Sequence, residues 1–159
     1  MFSIGDLAVY PAHGVGKIES IESKSIGGQK QDYYIIRILE NDMKIMIPIR
    51  NAESVGLRQL IHSNEIPMVY EILRSREVSV NGGTWNRRYR EYMEKIKTGS
   101  IYELAHVLRD LTVLKGDKEL SFGERKMLDT ARSLLLKEIS IVRAMSEVDV
   151  EREIFELLK

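Results

Sequence analysis

The sequence predicts an α+β protein: a small, strongly bent β-sheet or SH3-like barrel over residues 1–58, then an all-helical bundle over residues 59–159. Three observations predict it. The first part holds short runs rich in β-branched and aromatic residues, broken by Gly-containing turns. From about residue 63 the apolar residues recur at helical spacing. Of the 159 residues, 43% are hydrophobic, enough for a core and too many for a disordered chain. A β module followed by helices is a two-domain plan.

DLAVY (6–10) is a short apolar strand, and PAHGVG (11–16) has turn chemistry, with HGVG read as a β-turn. KIESIES (17–23) alternates polar and apolar, the period of a half-buried strand. IGG (26–28) turns the chain into DYYIIRIL (32–39), and END (40–42) connects it to MKIMIP (43–48). In that last arm Met43, Ile45 and Ile47 share one face, and Lys44, Met46 and Pro48 share the other. Lys44 needs water, which places Met46 on the open face. Pro48 has no N–H for a ladder, which favours an edge strand. An edge with an exposed Met suits a partner strand. The alternative is that Met46 packs under a loop.

SNEIPMVYEILRS (63–75) opens the helical part, with Pro67 in its first turn. The next helix starts near Thr84. Ser100 with Glu103 forms a capping box before a helix that buries Ile101, Leu104, Ala105, Leu108 and Leu111. GDKEL (116–120) is a loop. Ser121 with Glu124 forms a second box, and this helix runs to about Met145 with Leu128, Ala131, Leu134, Leu135, Val142 and Met145 inward. Ser146 opens a last helix ending in IFELL.

Composition excludes several functions. Without cysteine there are no disulfides and no thiolate zinc sites. His13, His62 and His106 share no helical spacing, so no metal site is expected. No P-loop, nucleophile elbow or dinucleotide fingerprint occurs, so neither catalysis nor a cofactor is expected. MFSIGDLAVY is not a secretory signal and no run is long enough to span a membrane, which points to the cytoplasm.

Lys+Arg and Asp+Glu are 24 each, so any nucleic-acid binding must come from a local patch or be weak alone. Such a patch lies within residues 74–100, where seven Lys or Arg face three Glu. Residues 138–159 are acidic instead. The basic stretch contains the only tryptophan, in NGGTWNRRY. Trp85, Tyr89, Tyr92, Met93 and Ile96 form one helical stripe, with Arg87, Arg90 and Glu94 across from it and Arg88 at its edge. Trp85 therefore falls on the core side, yet it sits in the first turn beside a Gly pair, where a side chain can project. Both readings stay open on spacing alone.

VYPAHGVGKIESIE, YYIIRILENDMKIMIP, TWNRRYREYMEKIKTGS and LSFGERKMLDTARSLL resemble the CarD/CdnL family of bacterial transcription regulators. The resemblance covers essentially the whole chain, and TWNRRY and GERKML are its most specific motifs. The length is similar to the short, CdnL-like branch, without the high-mobility-group-like tail of longer members. The resemblance implies a Tudor-like N-terminal domain that docks on the β subunit of RNA polymerase, as in the transcription–repair coupling factor. The docking positions it implies are Met46 and Pro48, with Ile36 on the facing strand and Lys24 at the hairpin. Other branches carry Arg where this chain has Met46, which shifts the contact from polar to apolar.

The resemblance also implies that the helical domain touches promoter DNA at the upstream edge of the bubble and stabilises the open complex. Trp85 matches the family's wedge tryptophan, Arg87 and Arg125 or Lys126 its basic contacts, and Phe122 and Met93 residues that support them. Local charge adds Arg88 and Arg90. The protein expected is a cytoplasmic monomer, associated with the nucleoid through polymerase, with no membrane partner and only weak affinity for free DNA. The competing expectation is a protein-binding Tudor/SH3-like module with a helical scaffold and no direct DNA role.

Overall fold

Alternation and turn chemistry build the N-terminal half. In the computed structural model, which describes residues 1–76, 85–115 and 120–159, four antiparallel strands run in the order β1-β2-β3-β4. They are β1 (Leu7–Tyr10), β2 (Gly14–Ile26), β3 (Gln29–Ile38) and β4 (Lys44–Pro48). The sheet curls into a half-barrel. A register shift between Ile18 and Ser20 bends β2 at the point of curling. Ala8, Ile18, Tyr34, Ile36, Ile38, Ile47, Ala52 and Leu57 fill the concave side.

HGVG is not the turn the sequence suggested. The turn ends at His13, and Gly14, Val15 and Gly16 already pair with β1. Gly16 is needed because a Cβ there would stand 2.5 Å from Ile36 Cγ2. Glycine in this strand thus marks a close approach of two strands. Met43 precedes β4 and is exposed, so it does not extend the inward row of half-buried Ile45 and buried Ile47.

The chain divides into two units, Met1–Leu60 and Ile61–Lys159. Arg58 belongs to the sheet, because its backbone exchanges two hydrogen bonds with Val9 (2.7 and 3.1 Å) and covers the outer edge of β1. The β-unit therefore reaches just past residue 58.

The second unit contains α1 (Ile66–Arg74), α2 (Trp85–Lys97), α3 (Ile101–Lys115), α4 (Phe122–Arg143) and α5 (Glu147–Leu158). Pro67 lies in the first turn of α1, where no N–H is required of it. α3 is the central helix and packs on α1, α2 and α4. Its expected inward residues are all buried, and so are Val107, Arg109 and Asp110. The Ser100 box is only half formed. Ser100 Oγ accepts from Glu103 N–H at 3.5 Å, but the Glu103 carboxylate binds Lys95 at 3.0 Å instead of reaching back.

The Ser121 box is complete, with both bonds at 3.2 Å. α4 stops at Arg143, two residues before the predicted end. Ala144 takes a left-handed conformation (φ +53°), and Met145 N–H bonds back to the Ser140 carbonyl at 3.0 Å. Ser146 caps α5 by accepting from Asp149 N–H at 3.1 Å. Of the loop predicted at 116–120, residues 116–119 lie outside the described residues, and Leu120 is buried. Among the described residues, no helix is long and apolar enough to cross a membrane.

Candidate nucleic-acid interface and strand-edge surface

The outer face of the β-unit follows from register. Directly opposed residues of an antiparallel pair share a face. Met46 lies opposite Ile35, Lys44 opposite Arg37, and Pro48 opposite Tyr33, with β4 at the sheet edge. Met46 is 44% exposed, as its alternation with Lys44 required. Around it stands a charged rim. Glu19 binds Arg37 and Lys44, the latter at 3.4 Å, and Arg37 also reaches Asp42 at 2.9 Å. The Arg37 guanidinium holds the Glu19 carboxyl below its usual range, with help from Lys44.

Ile36 does not join this surface. It is fully buried opposite Ile45 and forms part of the core, and the outer-face residue of β3 is its neighbour Ile35. A shift of one residue reverses the face of a strand. Lys24 is exposed on β2 opposite Gln31, near the hairpin tip. Gln31 precedes Ile35 by four residues, which puts Lys24 about 13 Å along the strands from Met46. The fold leaves Lys24 and Met46 on separate stretches of the sheet.

In the helical unit, the start of α2 meets the start of α4. Arg88 Nη2 lies 3.5 Å from Glu124 Oε2, with the two side chains 25% and 12% exposed. This removes Arg88 from the set of outward cations that local charge suggested. Around the pair, Arg87, Arg90, Arg125 and Lys126 are exposed. Arg87 touches Glu91 at 3.2 Å in an exposed i,i+4 pair, a contact worth about 0.3–0.5 kcal/mol and readily exchanged for a phosphate. Phe122 is 83% exposed at the first residue of α4, so it projects from the surface and does not pack beneath it. Met93 is partly buried and packs against the core of the helical unit.

The predicted stripe on α2 holds at Tyr92, Met93 and Ile96 and fails one turn earlier. Tyr89 is 41% exposed. Trp85 is the first residue of α2, but its side chain and residues 77–84 lie outside the described residues. The starts of α2 and α4 therefore carry four exposed cations and two exposed aromatic rings, Tyr89 and Phe122.

Beneath it runs a buried polar chain that spacing alone did not predict. Tyr92 donates to Asp110 Oδ2 at 3.4 Å, Arg109 Nη2 donates to Asp110 Oδ1 at 2.8 Å, and Arg109 Nη1 donates to the Ile72 carbonyl at 3.4 Å. Burial, then the charge of Asp110, pushes the Tyr92 phenol upward, so it stays a neutral donor. The signal was present in α3: apolar residues surround Arg109 and Asp110 on most sides of IYELAHVLRDLTVL. No group of three or more acids, histidines or cysteines is placed to hold a metal among the described residues.

Residues 2–61 match the family model of the CarD-like/TRCF RID domain, and residues 68–155 match that of the CarD C-terminal domain. The chain belongs to the CarD family of transcription regulators. Its relatives include the candidate transcription factor YdeB of Bacillus subtilis (strain 168), 38% identical over 151 residues, which span 95% of this chain and 98% of that one. Two solved structures are similar to part of the chain. One is the N-terminal domain of CdnL from Myxococcus xanthus, 54% identical, covering 38% of this chain and 86% of that one, with a TM-score of 0.34. The other is the N-terminal domain of CarD from the same organism, 30% identical, covering 37% and 79%, with a TM-score of 0.33. Residues 85–89 of the TWNRRY motif thus lie at the start of α2, and GERKML lies at the start of α4. The fold joins these two sequence motifs through Arg88 and Glu124.

Proposed function

We propose that this CarD-family regulator docks on the β subunit of RNA polymerase through the β4 edge and stabilises the open promoter complex through the joined ends of α2 and α4. The observations that carry the DNA half are the Arg88–Glu124 contact between the starts of α2 and α4 and the exposed Arg87, Arg90, Phe122, Arg125 and Lys126 on those two helices. Cations fix phosphates, and aromatic rings stack on exposed bases. The polymerase half rests on Met46, an apolar residue on the open face of an edge strand whose neighbours are charged.

The neutral total charge fits this division of labour. Few counterions are released when a chain of zero net charge meets DNA, so the free protein binds DNA weakly. Docking on polymerase raises the local concentration of promoter without any new contact. Trp85 then stacks at an unstacked step at the upstream edge of the bubble, while Arg87 holds a phosphate. Stacking worth roughly 1–3 kcal/mol shifts an open/closed equilibrium by about one to two decades. The regulator acts as a cytoplasmic monomer, reaching the nucleoid through polymerase, and favours one state of the complex without chemistry of its own.

Trp85→Ala tests the reading. It should leave binding to polymerase unchanged and shorten the open-complex lifetime on a weakly opening promoter by about tenfold. Lifetimes equal to wild type would refute the wedge role.

A further inference from the structure

The Arg88–Glu124 contact sits between the two motifs assigned to DNA, and its geometry differs from that of its neighbours. Arg87, one residue earlier, is 70% exposed and pairs within its own helix. Arg88 is 25% exposed and pairs across to α4, with its Nε enclosed. The Glu124 carboxylate divides its two oxygens. Oε1 accepts the Ser121 N–H at 3.2 Å and closes the cap of α4, while Oε2 faces Arg88. One turn along α2 from Arg88, Tyr92 joins the buried Asp110 and through it Arg109 and the carbonyl of Ile72 on α1.

We propose that Arg88 and Glu124 are positioning residues: an internal ion-pair latch, continued inward by Tyr92, Asp110 and Arg109, that sets the start of α2 against the start of α4. Arg88 then contributes no phosphate contact. It fixes the first turn of α2, which carries Trp85 and Arg87, relative to Phe122, Arg125 and Lys126. The latch must be internal because a largely enclosed guanidinium paired with a carboxylate has neither the access nor the uncompensated charge to hold DNA. The inference rests on the DNA-contact reading above.

Glu124→Gln separates the two roles open to Arg88, because they predict opposite signs. Glutamine keeps the volume and the cap of α4 but removes the charge. If Arg88 were a phosphate contact masked by Glu124, the variant would free it and lengthen the open-complex lifetime. The latch predicts a lifetime about fivefold shorter, no further loss in the Arg88→Gln/Glu124→Gln double variant, and a smaller effect in a Trp85→Ala background, where Arg87 alone is left to position. It also predicts changed acrylamide quenching of the single tryptophan in the free protein.

A longer lifetime, or unchanged quenching, would overturn the latch. Quenching needs no polymerase, so it still decides the latch if Trp85→Ala leaves the lifetime unchanged and the DNA-contact reading fails. Should Arg88→Gln not fold, Glu124→Gln carries the test by itself.

Discussion

The two units make their surfaces in different ways. In the β-unit, strand alternation puts Met46 and Lys44 outward and Ile45 and Ile47 inward, so each exposed residue is a direct consequence of backbone period. In the helical unit, the exposed cations sit on the ends of two helices that long-range polar contacts bring together. A surface built by period depends on register. A surface built by joined helix ends depends on buried charges, which the helical period does not encode.

That contrast can be broken most forcefully from inside the helical unit. Asp110→Ala leaves the Arg109 guanidinium and the Tyr92 hydroxyl buried without their shared partner. It should cost about 3–5 kcal/mol in urea unfolding of the whole chain. A cost below about 1 kcal/mol would mean that the buried chain does not hold the helix ends. Met46→Glu comes next. A carboxylate on the docking edge should weaken binding to an isolated polymerase β fragment by a hundredfold or more, about 2.7 kcal/mol, while Ile35→Ala weakens it less and Ile36→Ala acts only through stability. Affinity unaffected by Met46→Glu would remove the strand edge from the account.

Gly16→Ala attacks the β-unit at its tightest point. The added Cβ must displace Ile36, at a cost of about 1–3 kcal/mol read from the thermal midpoint. Were HGVG an ordinary turn, the change would be nearly neutral. The smallest effect concerns pH. Burial, followed by the nearby Arg109 charge, lowers the proton affinity of His106 in the fold. The unfolded state therefore binds the proton first. The stability this represents is complete above the unfolded pKa of about 6.5 and is lost as pH falls from there toward the lower folded value. His106→Gln should flatten the dependence of the urea midpoint between pH 7 and 5.5, and an unaltered slope would assign it to other groups.

Most of the fold was legible because its elements carry period and punctuation. β3 and β4 follow from YYII and KIMI, and the Ser121 and Ser146 caps mark where α4 and α5 begin. The site was legible only in part. Ile36 was assigned to the docking face, but the pairing of β3 with β4 puts its neighbour Ile35, opposite Met46, on the outer face of the sheet. Arg88 read as an outward cation because its partner Glu124 lies 36 residues further on. Tyr89 read as core because helical spacing groups it with Tyr92 and Ile96, yet spacing does not say which members of a stripe are covered. Arg109 and Asp110 were passed over because charged residues are normally exposed, and only the packing around α3 explains their burial.

The central claim is that the joined ends of α2 and α4 lie against promoter DNA during initiation. A photo-crosslinking amino acid at Phe122, the most exposed ring at that end among the described residues, tests it most directly. In the polymerase–promoter complex it should capture DNA at the upstream edge of the bubble, and the yield should fall when Met46→Glu prevents docking. Crosslinks to polymerase alone, with none to DNA, would contradict the account.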